Sequence, residues 1–311
     1  MIVRWSLTEL RGVLEELGLE RPFLVASPRW RLDVPVCGRW PEVPSPGIEV
    51  PEEADSLLAM GGGSAIDTAK NASSQTGLPL VSVPTTYSGA EWTPGFGIRS
   101  PERLMLGGGG GASLAAIVYD VELTLGLPRA ETVGTALNAL AHCAEALYVT
   151  GRNAAADRRA LEGAALIGEW LPAVVERPAD RGPRSLLLRG AAAAGEALAL
   201  AGLGVGHALA QALGGRYGLP HGTMNALCLP PALRFAAEQA PEAVERFRTA
   251  LGGRTVEALA GLGDFGRLRD LGVPEGELPA LAAAAAGRRG NANMPRPATA
   301  AELEQLLRSI Y

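Results

Sequence analysis

Only three histidines occur in the 311 residues of the chain, and one of them shares a helical spacing with an asparagine. Asn138 and His142 are four residues apart, so on a helix they lie on one face. His207 and Gln211 repeat this spacing, and His221 follows a proline in what we expect to be a loop. A lone helical histidine is usually an ordinary core or surface residue. Imidazoles also bind divalent metals and transfer protons, so all three together favour a metal or catalytic site.

A second chemical signal is a run of three glycines between an apolar segment and a helical segment. Residues 57–60 predict a strand, and the glycines at 61–63 predict a tight turn. Ser64 is the expected N-cap of the helix, with Asp67 in its first turn. This arrangement binds phosphate because the backbone can approach closely and the first N–H groups point at the anion. Any tight strand-to-helix turn also favours glycine, so the motif alone leaves both interpretations open.

Composition and charge exclude several classes of function. The chain is 47% hydrophobic, which at this length is enough for two cores. The net charge of −5 argues against a nucleic-acid partner or an anionic membrane, because both favour a basic surface. Lys70 is the only lysine among the 28 basic residues.

The three cysteines indicate a reducing compartment. Cys37, Cys143 and Cys228 form neither a metal-type pair nor a disulfide framework, which is typical of the cytoplasm. The first residues lack the apolar segment of a signal peptide. The apolar tract 197–213 is interrupted by glycines and by His207, which indicates a buried helix rather than a membrane span.

The order of predicted elements gives an α/β part followed by a helical part. A capping box at residues 6–9 opens a helix to residue 17. Further strands are predicted at residues 22–27, 78–83 and 115–120, an irregular connection at 30–51, and a loop or hairpin tip at the glycines 107–111. After Pro128 the sequence is rich in alanine and leucine at helical spacing. We therefore predict an α/β domain over residues 1–125 and an all-α domain over residues 126–311.

Polar segments follow two of the predicted strands. Residues 84–94 are dense in hydroxyl groups and too polar for a core segment. At the end of the strand 22–27, a dinucleotide-binding unit commonly carries an acid that binds the adenosine ribose. Ser27 and Arg29 stand there instead, which would tolerate or favour a 2′-phosphate. An ordinary strand end followed by a turn is the alternative.

Five motifs occur in a set order along the chain. They are residues 61–70, residues 84–91, Tyr119 with Asp120, residues 138–148, and His207 with residues 213–222. This order resembles the iron-containing (group III) alcohol dehydrogenase family, and within it the maleylacetate reductases, from about residue 55 to residue 297. The N-terminal domain looks shortened in comparison. The resemblance implies the dehydroquinate synthase-like fold, with an α/β dinucleotide-binding domain, an all-α domain behind it, and a cleft between them for hydride transfer.

The resemblance also assigns residues to two sites. The residues expected to bind NAD(P)H, including Ser27 at the strand end described above, are Ser27, Gly61, Gly62, Gly63, Ser64, Thr85, Thr86 and Thr93. The metal positions of the family fall on Asn138, His142, His207 and His221. The three histidines are also the expected catalytic residues, either through a bound metal or directly as hydrogen-bond donors. We expect these four residues to converge in one cleft facing the glycine turn.

Three positions depart from the family pattern. Asn138 replaces a carboxylate ligand of the family by a weak neutral one, as in maleylacetate reductases, and Gln211 replaces a further histidine. The lysine that relatives place near the nicotinamide ribose falls around residues 105–106, beside the glycine run. We therefore expect a weakly bound divalent metal, with zinc preferred over iron. Activity should largely survive chelation.

The leading functional hypothesis is an NAD(P)H-dependent reductase of a small carbonyl or enone acid. The alternative is a non-redox enzyme of the same fold, catalysing elimination or cyclisation on a specialised metabolite with a degraded cofactor site. A third hypothesis is a catalytically inactive binding module. Arginines that could bind a dicarboxylate are Arg216, Arg288, Arg289 and Arg296. We expect a cytoplasmic homodimer with a small-molecule substrate and with neither nucleic-acid nor membrane partners.

Overall fold

The structure is a computed structural model that describes residues 1–311, and it divides into two compact units. The first unit comprises Met1–Thr86 and Ala90–Gly126. The second comprises Tyr87–Gly89 and Leu127–Tyr311. We refer to them as the α/β unit and the helical unit. A three-residue segment of the hydroxyl-rich stretch thus belongs to the helical unit.

The α/β unit is built on a six-stranded sheet in which every pair of neighbours is parallel. The eight strands of the chain are β1 (Ile2–Arg4), β2 (Pro22–Val25), β3 (Gly38–Trp40), β4 (Ser56–Gly61), β5 (Pro79–Pro84), β6 (Phe96–Arg99), β7 (Met105–Gly109) and β8 (Ser113–Val118). The sheet has the order β1-β8-β5-β4-β2-β3. Every residue of β4 is buried, as expected of a central parallel strand that is covered on both faces.

Two edge strands were not predicted from the sequence. β1 and β3 have three residues each and lie at opposite edges of the sheet. β3 lies within residues 30–51, which we expected to be irregular. Its Gly38, Arg39 and Trp40 carry neither an apolar run nor an alternating pattern, so pairing with β2 supplies the strand instead.

The helices of the α/β unit begin later than predicted or at a different cap. Ser6 accepts a hydrogen bond from the Thr8 N–H, but the turn that follows is a 3₁₀ turn, and helix α1 runs over Leu10–Glu16. Helix α2 runs over Gly63–Thr76 with Gly62 as its N-cap. The prediction of Ser64 as the N-cap was therefore wrong, since the helix begins directly after the glycine turn.

The five-glycine run is mostly strand rather than loop. β6 and β7 form an antiparallel hairpin in which Gly109 pairs with Phe96 and Gly108 pairs with Gly97. A Cβ atom on Gly109 would lie 2.7 Å from the Phe96 ring, so the aromatic ring takes the space that a side chain would need. The sequence pattern missed this strand because glycine carries no strand propensity of its own.

The helical unit confirms the prediction that everything after Pro128 is helical. Its helices are α3 (Arg129–Ala146), α4 (Ala154–Glu176), α5 (Arg181–Ala201), α6 (Val205–Tyr217), α7 (His221–Gln239), α8 (Pro241–Ala250), α9 (Val256–Gly261), α10 (Leu278–Ala286), α11 (Arg289–Ala292) and α12 (Ala300–Ser309). Fourteen of the 18 residues of α3 are buried, so α3 is the central helix of the unit. A Cβ atom on Gly222 would lie 2.6 Å from the backbone of Gly134, and this close approach brings the start of α7 against α3.

The apolar tract 197–213 is two helices and not the single buried helix predicted. α5 ends at Ala201 and α6 begins at Val205, with Gly202 between them at a φ of +95°. No single helix is long and apolar enough to cross a membrane. α5 and α6 together meet that length and composition, but they are bent by 102° at the break.

Candidate functional site

The four residues expected to bind metal come together within the helical unit. Asn138 and His142 lie one turn apart on α3, and His207 lies in the first turn of α6. His221 is the first residue of α7 rather than a loop residue, since Pro220 is the N-cap of that helix. The His142 and His207 rings stack with their centroids 4.5 Å apart, and the His207 and His221 centroids are 5.8 Å apart.

Glu145 fixes the position of His207, and sequence analysis missed its role. Its Oε2 accepts hydrogen bonds of 2.7 Å from His207 Nδ1 and 2.7 Å from the Gly204 N–H. Its Oε1 accepts a bond of 3.0 Å from the backbone N–H of His207. The buried carboxylate thus caps the N-terminus of α6, where the helix dipole stabilises a negative charge. Glu145 lies three residues after His142, so helical spacing could have indicated it.

The carboxamide of Asn138 is oriented by the backbone. Its Nδ2 donates to the Ser88 carbonyl at 2.7 Å, which directs its Oδ1 toward the histidines, 3.1 Å from His207 Nε2. Since His207 Nδ1 donates to Glu145, the neutral form of this imidazole carries a lone pair on Nε2. Two acceptors then face each other. A cation near both atoms would stabilise this contact.

Asn225 completes the cluster and was also missed. Its Nδ2 lies 2.8 Å from Asn138 Oδ1, 3.0 Å from His221 Nε2 and 3.1 Å from the His221 carbonyl oxygen. Its Oδ1 is buried and has no hydrogen-bond partner. Asn225 follows His221 by four residues on α7, and this spacing is the signal that could have found it.

His142 is buried and is held in the neutral form. Burial lowers its pKa well below the ordinary value, and the neighbouring rings of His207 and His221 lower it further. Its Nδ1 has no hydrogen-bond partner. Gly89, in the left-handed region at a φ of +75°, passes close to this ring, because a Cβ atom there would lie 3.4 Å from His142 Nδ1. Lone pairs on neutral imidazoles are what a transition metal requires.

As arranged, no group of three or more His, Cys, Asp or Glu side chains is ready to hold a metal ion. The Asn225 nitrogen lies 2.8 Å from Asn138 Oδ1 and 3.0 Å from His221 Nε2, two of the atoms expected to bind an ion. The chemistry of the donor set does fit a divalent cation. It offers imidazole nitrogens and an amide oxygen, and Glu145 orients His207 as a carboxylate behind a metal-bound histidine does.

The glycine turn in the α/β unit joins β4 to α2. A Cβ atom on Gly61 would lie 2.8 Å from Ala65 Cβ, and one on Gly62 would lie 3.0 Å from Thr86 Cγ2. Packing alone therefore requires small residues here. No side chain caps α2, so the N–H groups of its first residues, Gly63 and Ser64, are not satisfied by a capping side chain.

Of the three predicted threonines, two carry buried hydroxyl groups without a partner. These are Thr85 and Thr86, which follow β5 beside the glycine turn. Thr93 is half-buried, and its carbonyl oxygen lies 3.3 Å from Lys70 Nζ. Unsatisfied buried hydroxyls next to free helix N–H groups are consistent with a polar ligand at this turn.

Lys70 anchors the segment that carries Thr93. Its buried Nζ donates to the carbonyl oxygens of Ala90 at 2.7 Å and Gly95 at 2.6 Å, and it pairs with Asp67 Oδ1 at 3.0 Å. The only lysine of the chain is therefore a structural residue, which holds residues 90–95 against α2.

Arg39, which the sequence analysis did not consider, donates hydrogen bonds to the backbone that follows β2. Arg39 donates to the carbonyl oxygens of Ala26 at 3.1 Å, Trp30 at 2.9 Å and also Ser27. Ser27 itself is half-buried, and the exposed Arg29 lies over the Trp30 ring with its guanidinium carbon 4.9 Å from the centroid. Positive charge is thus concentrated where the 2′-phosphate was expected.

Two of the four arginines expected to bind a dicarboxylate are paired elsewhere. Arg216 pairs with Glu277, and Arg296 pairs with Glu302 at 2.8 Å. A fully buried arginine is found instead on α5. Arg184 donates to the Pro178 carbonyl at 2.5 Å and to the Tyr87 hydroxyl at 3.1 Å, and it has no ion pair.

Comparisons with known proteins place the fold in a defined group. The family model "Fe-containing alcohol dehydrogenase family, C-terminal" matches residues 132–311, and "Iron-containing alcohol dehydrogenase" matches residues 49–114. The maleylacetate reductase of Burkholderia cepacia is 37% identical over 265 residues, which cover 83% of this chain and 74% of the relative. That of Sphingobium indicum is 36% identical over 261 residues, covering 82% and 73%.

Solved structures agree with these matches. Maleylacetate reductase from Agrobacterium tumefaciens has a TM-score of 0.86 at 29% identity, covering 100% of this chain and 95% of that one. An iron-containing alcohol dehydrogenase from Corynebacterium glutamicum has a TM-score of 0.86 at 30% identity, covering 100% and 94%. The fold predicted from the sequence, an α/β part followed by an all-α part, is confirmed.

Proposed function

The chain belongs to the iron-containing alcohol dehydrogenase family and is an NAD(P)-dependent oxidoreductase, and we propose that it reduces a small carbonyl or enone acid. The observation that carries this proposal is the 37% identity to a maleylacetate reductase over 83% of the chain. The cofactors of the family are NAD(P)H and a divalent metal. No observation favours the non-redox alternative of elimination or cyclisation.

The α/β unit supplies the residues that bind NAD(P)H in this proposal. The N–H groups of Gly63 and Ser64 receive the pyrophosphate, because the turn through Gly61 and Gly62 brings the backbone close and no side chain caps α2. The free hydroxyl groups of Thr85 and Thr86 bind the nicotinamide end. Thr93 is positioned for the same role by the contacts of its segment with Lys70, and Ser27 lies at the adenosine end.

When bound, NAD(P)H would supply a hydride for an electrophilic carbon of the substrate. The substrate π bond breaks as the new C–H bond forms, and the electron pair moves onto the carbonyl oxygen, directly or through the conjugated system. A proton then neutralises this oxygen or the carbon next to it. We assign stabilisation of the oxygen to His142, His207 and His221, whose rings form one cluster.

The individual histidines have different roles in this scheme. His142 is neutral and has an unpartnered Nδ1, so it can donate to, or accept from, a bound group. His207 has both ring nitrogens in contacts, to Glu145 and to Asn138, and it serves mainly to organise the cluster. Asn138 and the three histidines would hold the divalent ion. When bound, that ion supplies Lewis-acid polarisation of the substrate oxygen.

We further propose that the protein works as a cytoplasmic homodimer on a small-molecule substrate. All three cysteines are free, which fits a reducing compartment. The net charge of −5 gives no general attraction to nucleic acid or to an anionic membrane.

The proposal is tested by titrating the protein with NADH and NADPH and then assaying oxidation of the bound cofactor. The assay panel contains enone dicarboxylic acids, saturated keto acids and primary alcohols. We expect the reduced nicotinamide fluorescence to change on binding, and the enone acids to consume NAD(P)H stoichiometrically. Conversion of a substrate without net change in NAD(P)H would favour the non-redox alternative. Failure to bind either cofactor would contradict the proposal.

A further inference from the structure

Asn225 lies at the centre of the histidine cluster, yet only one end of its carboxamide is used. The Nδ2 end faces two oxygen acceptors, Asn138 Oδ1 and the His221 carbonyl oxygen, and it lies 3.0 Å from His221 Nε2. The Oδ1 end is buried and has no hydrogen-bond partner. An unsatisfied buried oxygen of this kind is unfavourable by itself, so the orientation must be determined by the nitrogen.

The orientation of the Asn225 carboxamide follows from its surroundings. Turned over, its Oδ1 would face the same two oxygen acceptors and be repelled by both. Asn138 cannot relieve this repulsion by turning over itself, because its own Nδ2 donates to the Ser88 carbonyl at 2.7 Å. The nitrogen of Asn225 therefore points inward as long as no positive charge lies between these groups.

A divalent cation reverses this preference. It would attract the lone pairs of Asn138 Oδ1, His207 Nε2 and His221 Nε2, and it would repel an N–H donor pointing at it. Rotation about the last side-chain torsion of Asn225 removes the donor and brings Oδ1 to the same place. That torsion has a broad, roughly two-fold profile, so both orientations are accessible without a change of backbone.

We propose that Asn225 is an amide switch that controls cation binding by the histidine cluster. Without a cation, its Nδ2 occupies Asn138 Oδ1 and His221 Nε2 and keeps the cluster closed. With a cation, the carboxamide turns over and its Oδ1 becomes an additional neutral oxygen ligand. The inward Nδ2 thus weakens initial binding of the metal. After the carboxamide has turned over, its Oδ1 partly replaces the carboxylate ligand that the family carries at the position of Asn138. This proposal concerns cation binding alone and does not rest on the proposed substrate.

The first experiment compares Zn²⁺ binding by the chelator-treated full-length protein and by two variants, using calorimetric titration. Asn225→Asp cannot donate a hydrogen bond and offers two oxygens. We expect it to bind Zn²⁺ at least about tenfold more tightly than the wild type, the factor that one net hydrogen bond supplies. Gln211→Glu adds the same charge one turn after His207, on α6 rather than on the helix that carries Asn225, and it should have a smaller effect. Equal or weaker binding by Asn225→Asp would contradict the proposal.

The second experiment tests the predicted oxygen ligand directly. Asn225→Leu has a similar shape but neither donates nor accepts a hydrogen bond. The visible absorption spectrum of Co²⁺ bound to the wild type should differ from that of Co²⁺ bound to Asn225→Leu, because one oxygen ligand is lost. X-ray absorption of the Zn²⁺ forms should show the same loss. Identical spectra would show that Asn225 Oδ1 does not reach the cation, and the switch would be excluded.

A third measurement uses only the wild type, in case a variant does not fold. Selective ¹⁵N labelling of asparagine side chains makes the carboxamide protons of Asn225 visible by NMR. They should be protected from solvent exchange in the chelator-treated protein and should shift and lose protection when Zn²⁺ is added. Protons that remain unchanged at saturating Zn²⁺ would overturn the proposal. None of these readouts depends on NAD(P)H or on turnover, so their outcome is independent of the test of the proposed function.

Discussion

The two units of the protein build their candidate binding groups in opposite ways. In the α/β unit, the atoms proposed to bind the cofactor are mostly backbone N–H groups of one contiguous segment, from Gly61 to Ser64. In the helical unit, the candidate binding groups are side chains from three helices. The largest separation along the chain, between Asn138 and Asn225, is 87 residues. A backbone site needs glycine and a helix start, whereas a side-chain site needs its members to hold one another in place.

In each unit one buried charge fixes part of the candidate site, and these two charges have opposite signs. The α/β unit buries Lys70 and satisfies it with carbonyl oxygens and Asp67. The helical unit buries Glu145 and satisfies it with backbone N–H groups and the His207 ring. In both units the buried charge is fully hydrogen-bonded. The hydrogen bonds fix a loop in the α/β unit and orient an imidazole in the helical unit.

The largest expected effect is in the helical unit, at Glu145. Glu145→Ala leaves two backbone N–H groups and His207 Nδ1 buried without an acceptor, and it should destabilise the protein by about 3–5 kcal/mol. Glu162→Ala removes a half-exposed carboxylate that pairs with Arg159 on the surface, so it should cost less than about 1 kcal/mol. Chemical denaturation followed by circular dichroism measures both. A loss below about 1 kcal/mol for Glu145→Ala would mean that the carboxylate does not organise α6.

The corresponding change in the α/β unit is Lys70→Met, which should cost about 2–3 kcal/mol because the carbonyl oxygens of Ala90 and Gly95 lose their donor. Asp67→Asn is the milder control, since Asp67 is partly exposed and the lysine keeps its carbonyl partners. If the two units are independent in function, Lys70→Met should weaken NAD(P)H binding and leave Zn²⁺ binding unchanged. A loss of Zn²⁺ binding in this variant would show that the two units do not function independently.

The backbone character of the candidate cofactor site explains which parts of it could be predicted from the sequence. The glycine turn is contiguous, and strand, turn and helix start each leave a local pattern, so the strand–turn–helix geometry at residues 61–64 could be predicted. The cap was misplaced at Ser64 because Gly62 already provides the extended conformation that begins α2. β3 and β7 were missed because they have no apolar alternation and depend on pairing with their neighbours.

The side-chain site could be predicted only in part. The histidines were noticed because the chain has only three, whereas Glu145 and Asn225 belong to types that are common on helix surfaces. Both lie one turn from a histidine, but so do many other residues. Only the packing of α3, α6 and α7 shows that these two point inward and are buried.

A smaller effect is expected at the glycine turn. Gly62→Ala should weaken NAD(P)H binding by about tenfold, or ~1.4 kcal/mol, because the new Cβ lies at the surface that the pyrophosphate approaches. The same Cβ would also press on Thr86 Cγ2 at 3.0 Å, so packing is a competing cause. The double variant Gly62→Ala with Thr86→Ser removes that methyl group. Affinity that recovers fully in the double variant, measured by fluorescence titration, would show that packing rather than ligand approach requires glycine.

Glu91 gives the α/β unit a pH dependence. Burial raises its pKa above the ordinary value of 4.5, although the hydrogen bond from the Tyr119 hydroxyl and the charge of Lys70 act in the other direction. The folded state therefore holds this proton more tightly than the unfolded state. Stability should fall as pH rises from the ordinary pKa to the raised one, and then stay level.

Glu91→Gln keeps an acceptor for Tyr119 and removes the titration. The unfolding free energy of the wild type should fall relative to that of the variant as the pH rises from about 4 to about 8, so the difference shifts in favour of the variant at high pH. Denaturation series at several pH values measure this difference. If the difference in unfolding free energy does not vary with pH, Glu91 has the same pKa in the folded and unfolded states, and the prediction is wrong.

The smallest effect concerns the choice between NADH and NADPH. Ser27 and Arg29 follow β2 with no acid between them, and Arg39 adds a second guanidinium bound to the carbonyl oxygens of Ala26 and Trp30. A 2′-phosphate would be attracted by these charges, while the ribose hydroxyl of NADH would find no carboxylate acceptor. NADPH should therefore bind at least as tightly as NADH. Arg29→Ala should reduce the NADPH affinity about threefold and leave the NADH affinity unchanged, since an exposed charge is screened by solvent. Arg31→Ala, two residues further on, is the matched control. A wild-type preference for NADH of about tenfold would mean that the adenosine ribose is recognised at another position.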